Sequence, residues 1–226
     1  MTGRDTKLQT LLSTSECLAV AAQKDLSAPV EHCPEWKVLD LVAHVAGVQW
    51  FWATIVEGRV QDREKLQRPE AIPPDVDPIH WFRTQTARLH SALSSADDTD
   101  RVWTWWPDDQ SVGFVLTRQV NEVVIHCFDA CNATGTDPTI NPDVAVVGLQ
   151  EFVDVMSHDL VEGVAIPPPL HLVATDRDWR ATLFADSIGD PLTLSASAEL
   201  LLLTLWGRAA AVDPVIGSAL SAINLG

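Results

Sequence analysis

Tyrosine is absent from all 226 residues, so no phenol is available as a general acid or base, although nine tryptophans supply large apolar surfaces. Cysteine is scarce. Four in a chain this long are too few for a disulfide scaffold and read as reduced thiols of a cytoplasmic protein. Basic residues are few as well, 15 against 31 acidic, giving a net charge of −16. A chain this acidic is repelled by phosphate backbones and anionic lipid surfaces, which argues against nucleic-acid and membrane-surface partners. No uninterrupted apolar run approaches the roughly 18 residues of a membrane span. The longest, over 200–206, is short and contains Thr204. Arg4 and Lys7 are not followed by the apolar segment of a secretion signal.

What is present is a 46% hydrophobic fraction, enough to exclude a disordered chain and to fill a sizeable core. Leu8, Leu11, Leu12, Leu18 and Ala22 share one face of a helix predicted over 5–24. Val38, Leu41, Val42, Val45, Val48, Trp52 and Ile55 form the clearest stripe, from about residue 36 to a stop at Gly58. A charged, proline-rich loop over 61–78 leads to a third helix over 78–96. An acidic turn at 97–100 and an aromatic segment over 102–107, expected to lie extended across the helices, come before a fourth helix over 111–134. A fifth is expected over 143–158, and the set predicts an up-and-down bundle. Beyond the stiff Pro167-Pro168-Pro169 linker the pattern changes to short strands over 170–174, 179–184 and 192–196, then a helix over 197–211. The expected fold is α+β, a helical bundle over 1–164 followed by a small α/β domain over 165–226.

Glu122 and His126 stand four apart on the fourth helix, so their side chains lie one turn apart on one face, at the flank of its apolar stripe. That spacing lets a carboxylate oxygen and an imidazole nitrogen share one divalent metal. His44, on the flank of the second helix, is the natural third ligand. Two histidines and one carboxylate leave a position for water or substrate, as catalytic metal sites do. The spacing also fits a simple surface hydrogen bond, with Arg118 pairing Glu122 at i, i+4. The remaining histidines, His32 among them, have no paired spacing and read as surface or loop residues. Cys127 and Cys131 face the core stripe and read as small buried hydrophobes, too widely spaced for an easy disulfide and lacking a C-x-x-C partner for zinc. Cys17 and Cys33 carry no nucleophile signature. Arg208, near the end of the last helix, reads either as a helix-end charge or as a bidentate carboxylate binder.

The segment from His32 through Cys33-Pro34-Glu35-Trp36-Lys37-Val38-Leu39-Asp40-Leu41-Val42-Ala43-His44 to Val45 resembles the C-P-x-W-x-V-x-D-L-x-A-H-L signature of the mycothiol-dependent maleylpyruvate isomerase-like family. That family lies within the DinB-like helical-bundle superfamily. Arg118 to Ala130 is similar to its second signature, R-x-x-H-E-x-x-x-H-R-W-D-A, and Leu205-Trp206-Gly207-Arg208 to its C-terminal one. The resemblance implies a four-helix bundle followed by a small α/β domain. It also implies a zinc-type metal on His44, Glu122 and His126, and a role in activity for Arg208. Asn121, Cys127 and Phe128 depart from the second signature, where histidine, arginine and tryptophan are usual. No ligand is lost, but the changes surround the site, so the substrate need not be maleylpyruvate.

The function expected from this resemblance is a metal-dependent isomerase or S-transferase that uses a small thiol of the mycothiol type on a small electrophile. A non-catalytic metal- or ligand-binding module, or a metal-dependent hydrolase, are the alternatives.

Overall fold

The computed structural model describes residues 3–69, 71–211 and 213–224. Four long helices carry its first part: α1 (Arg4–Ala22), α2 (Val38–Glu57), α3 (Pro78–Ser94) and α4 (Val112–Ala133). α2, α3 and α4 each begin where a local signal fixes the backbone. The Asp40 carboxylate accepts from the Lys37 amide at the start of α2 (2.9 Å). Asp77, followed by Pro78, caps α3 through the His80 amide (2.8 Å), and Ser111 caps α4 through the Phe114 amide (3.1 Å). Gly135, at φ 65°, ends α4 in the left-handed region that a side chain disfavours.

Helix packing departs from the up-and-down order. α1 packs on α3 and α4, and α2 packs on the same two, while α1 and α2 touch little. The pairs α1–α2 and α3–α4 therefore sit on diagonals, which the long connections over 23–37 and 95–111 allow. This order matters because it makes α4 a neighbour of both α1 and α2. Leu11, Leu18, Leu41, Val45, Phe82, Leu89, Leu116 and Val123 fill the centre; Leu8 and Leu12, expected there, are only half-buried. A buried polar chain crosses the core, Thr86 donating to Gln49 Oε1 (2.7 Å) and Gln49 Nε2 to Ser15 Oγ (3.2 Å). Among the described residues α2 alone is long and apolar enough to cross a membrane, and most of it is buried inside the bundle. The aromatic segment lies as expected only in part. Val102 is buried and Trp103 packs near Phe51 and Trp52, but Trp105 stays exposed.

A second compact unit begins at Ile140. Its helix α5 (Pro142–Asp154), expected in the bundle, instead packs on α6 (Ala198–Leu205), so the chain divides after Thr139 and not near the proline run. Phe152 against Trp206, ring centroids 5.5 Å apart, is part of that packing. The sheet holds β1 (Leu170–Ala174), β2 (Arg180–Leu183) and β3 (Leu192–Ala196) in the order β2-β1-β3. β1 runs antiparallel to β2 and parallel to β3. Leu170, Leu172 and Ala174 alternate inward on β1, as the period of two requires. The last predicted helix stops early. Gly207 adopts φ 69° and terminates α6, and Asp213-Pro214 starts a separate α7 (Pro214–Leu220) that the sequence reading did not include. The fold class is α+β, a helical bundle followed by a small α/β unit.

Candidate metal centre

Because α2 and α4 are neighbours, the flank of each faces the other. His44 Nε2 lies 3.0 Å from Glu122 Oε1, and His126 Nε2 lies 3.4 Å from the same oxygen. The three potential ligand atoms all fall within 4.8 Å of one another. Glu122 Oε2 takes a 2.6 Å ion pair from Arg118 one turn earlier. Glu122 therefore pairs with Arg118 through one oxygen and presents the other to the two imidazoles. The carboxylate is buried, which disfavours its charge, yet the Arg118 guanidinium and the two imidazoles hold it well below the usual carboxylate range.

His126 has a partner at each nitrogen. Its Nδ1 lies 3.1 Å from Oδ2 of Asp129, whose side chain is wholly buried. Burial disfavours the imidazolium, but the Asp129 and Glu122 carboxylates outweigh it and push the group up to about 9. A carboxylate on the far nitrogen is what metal-ligating histidines commonly carry, since it fixes ring and tautomer. Two imidazoles, one carboxylate and this outer carboxylate fit a divalent cation of the zinc type.

The loop between α1 and α2 forms one wall. Val30 N donates to Trp36 O (2.9 Å) and Trp36 N to Cys33 O (2.7 Å), folding the chain tightly back on itself. Trp36 is thereby set 4.9 Å from the His44 ring and 6.3 Å from the His126 ring, centroid to centroid. Asn132 on α4 donates to Glu31 (2.8 Å) and pins the loop down. His32, read from the sequence as a loop residue without a role, has Nδ1 3.6 Å from Asp129 Oδ1. His32 carried no spacing signal toward the trio. Asp129 could have been found as the i+3 neighbour of His126, a carboxylate on the same helix face.

Arg208 lies in the second unit just past Gly207, with Nη1 donating to the Trp206 carbonyl (2.8 Å). On the opposite flank of α4 a second group forms, which sequence reading did not assemble: Cys17 of α1 meets Cys127 and Cys131. Cys17 and Cys131 have their sulfurs 4.0 Å apart. Hydrogen bonding from Cys127 brings the Cys131 thiol down to about 7. Of the three departures from the second signature, Cys127 faces this cluster, Phe128 lies beside His32 (6.3 Å) and Asn121 is buried.

Two solved structures share this fold. One is described as the mycothiol-dependent maleylpyruvate isomerase, 15% identical, with a TM-score of 0.66. The other is a histidine-to-alanine variant of an enzyme of the same description, 17% identical, also at 0.66. Each alignment covers 92% of this chain and 91% of the other. No curated protein matches the chain significantly. The family model described as the mycothiol maleylpyruvate isomerase N-terminal domain matches residues 13–131, a span that contains His44, Glu122, His126 and Asp129. Since that span is more than half of the sequence, the chain belongs to the mycothiol maleylpyruvate isomerase N-terminal domain family.

Proposed function

We propose that this protein is a metal-dependent enzyme that uses a small thiol of the mycothiol type to isomerise, or to be transferred onto, a small electrophilic substrate. The observation that carries the reading is the convergence of His44 Nε2, Glu122 Oε1 and His126 Nε2 from two helices, with Asp129 behind His126. A divalent cation such as Zn2+ held by those three would favour the thiolate form of a thiol at neutral pH. Arg118 keeps Glu122 ionised and turned so that Oε1 faces the imidazoles. Asp129 keeps Nδ1 of His126 occupied, so that Nε2 is the nitrogen left for a ligand. Trp36 walls the two histidines with an apolar face that limits water.

In this reading the thiolate sulfur adds to an activated double bond, forming a C–S bond and leaving a single bond free to rotate. Re-expulsion of the thiolate restores the double bond in the other geometry. Retention of the C–S bond, with a proton taken up at carbon, gives the S-transferase outcome. Arg208 is the proposed holder of an anionic group of thiol or electrophile. At a net charge of −16 the whole molecule repels anions, so a local cation is required. The same charge, together with four cysteines and no disulfide framework, supports a cytoplasmic protein without nucleic-acid or membrane partners.

Turnover by purified protein of a panel of electrophiles, with and without mycothiol and with and without zinc, tests the reading. Activity requiring both thiol and metal, and lost in His44→Ala, is the expected result. Metal binding without turnover would make the protein a non-catalytic metal-binding module. Turnover with metal but no thiol would make it a hydrolase.

A further inference from the structure

Three thiols that lie far apart in the sequence come together on the seam between α1 and α4. Among the described residues they form one of two groups of three metal-ligating side chains, and the group shares no residue with the His44 site. Cys127 and Cys131 project from one face of α4 at i, i+4 spacing. Cys17 projects toward them from α1. All three sulfurs lie within 4.8 Å of one another, and Cys17 and Cys131 are 4.0 Å apart. A tetrahedral ion with metal–sulfur bonds of about 2.3 Å has sulfur–sulfur edges of about 3.8 Å, so the cluster needs only small side-chain rotations to close on one ion. A disulfide would need the 4.0 Å separation to fall to about 2.05 Å, a larger movement, and would leave the third thiol without a role.

The seam is also accessible. Cys127 and Cys131 are buried while Cys17 is exposed, so an ion can enter past Cys17 and be enclosed by the other two. Lys24, in the turn just past the end of α1, lies close enough to favour the Cys131 thiolate electrostatically and to offset part of the charge of three thiolates. Soft sulfur ligands in this number select soft or borderline cations over magnesium or calcium.

From this geometry we infer that Cys17, Cys127 and Cys131 form a second metal site, one that takes a thiophilic cation such as Zn2+ or Cu+ and staples α1 to α4. Binding exchanges three S–H protons for three metal–sulfur bonds, with the protons released to solvent and no change in oxidation state. The fourth coordination position stays with solvent or a small external ligand.

Cobalt(II) is the probe, because sulfur-to-cobalt charge-transfer absorption in the near ultraviolet reports thiolate ligands and not the imidazole–carboxylate site. Full-length protein, reduced with a phosphine and freed of metal, is titrated with Co2+ and then with Zn2+. The band is expected in the wild type, unchanged in His44→Ala, and abolished by excess zinc. In Cys17→Ser, a change at an exposed position, it is expected to fall by about a third or more, for one thiolate lost of three. Zinc should raise Tm less in Cys17→Ser than in the wild type. Absence of the band from fully reduced wild type, or its survival at full strength in Cys17→Ser, overturns the inference. So does a Cys17–Cys131 disulfide formed in air by a protein that gave no band when reduced, since the cluster is then a redox pair. Loss of thiol-dependent turnover in His44→Ala with the band intact separates this site from the proposed catalytic one.

Discussion

Asp129 is wholly buried and lies against Nδ1 of His126. Asp129→Asn keeps the shape and removes the charge. Metal affinity is expected to fall about 10- to 100-fold, as outer carboxylates on ligating histidines typically contribute. A chelator-competition titration reads the loss, with circular dichroism confirming the fold. Arg208 is the second side chain on which the proposed function rests. Its planar fork pairs both oxygens of a carboxylate, whereas lysine offers a point charge. A charge-assisted contact of about 1.5–3 kcal/mol that persists in the transition state corresponds to a tenfold to hundredfold loss of kcat/KM in Arg208→Lys. The same variant should keep its metal content and thermal transition. Near-normal turnover would leave Arg208 as a helix-end charge, consistent with its bond to the Trp206 carbonyl.

Among the elements, α6 ends where Gly207 turns left-handed, and open space surrounds the position a Cβ would take. Gly207→Ala therefore pays only for backbone strain, about 1–2 kcal/mol, which chemical denaturation should register as a lowered midpoint. The turn also shows how far the pattern of residues can be read. Over 197–211 helix-favouring residues resume after Gly207 with Ala209, Ala210 and Ala211, so the helix was read through the glycine. The strands over 170–174 and 192–196 and the starts of α3 and α4 were legible because caps and turn residues are local. Glu122 and His126 could be paired from spacing because i and i+4 share a helix face, and His44 could be added from its place on the flank of α2. Cys17 and His32 could not be assigned in the same way, since their partners depend on which helices and loops are neighbours. That order is set by packing across the whole bundle, and it differs from the simplest one.

The molecule as a whole is strongly acidic, with an isoelectric point near 4.6, and carries two groups, buried Glu122 and part-buried His126, that are shifted in opposite senses. Glu122 is held below its ordinary 4.5, so its stabilising contribution is present above that value and lost as pH falls through the folded value. His126 is raised from 6.5 to about 9, so its contribution is complete below 6.5 and lost as pH rises through 9. In metal-free protein both contributions are full between 4.5 and 6.5. The urea midpoint is expected to decline from there toward alkaline pH, and the decline should be shallower in His126→Gln. Zinc should reverse the slope, because it requires the neutral imidazole and competes with a proton that leaves more readily as pH rises. An alkaline decline equal in wild type and His126→Gln would assign it to other groups.

Trp36, seated against both imidazoles, makes the candidate metal centre optically active. A protonated imidazole accepts an electron from an excited indole and shortens its emission, whereas a neutral imidazole does so poorly. The chain has no tyrosine to add background, so its near-ultraviolet emission comes from indoles alone. Emission of the metal-free protein should step upward as pH passes through about 9, where His126 loses its proton. Zinc should erase the step by removing that proton beforehand, and Trp36→Phe should erase it with or without zinc. The wall of the site would then serve as an internal gauge of its own proton and metal occupancy, readable without any added dye or label.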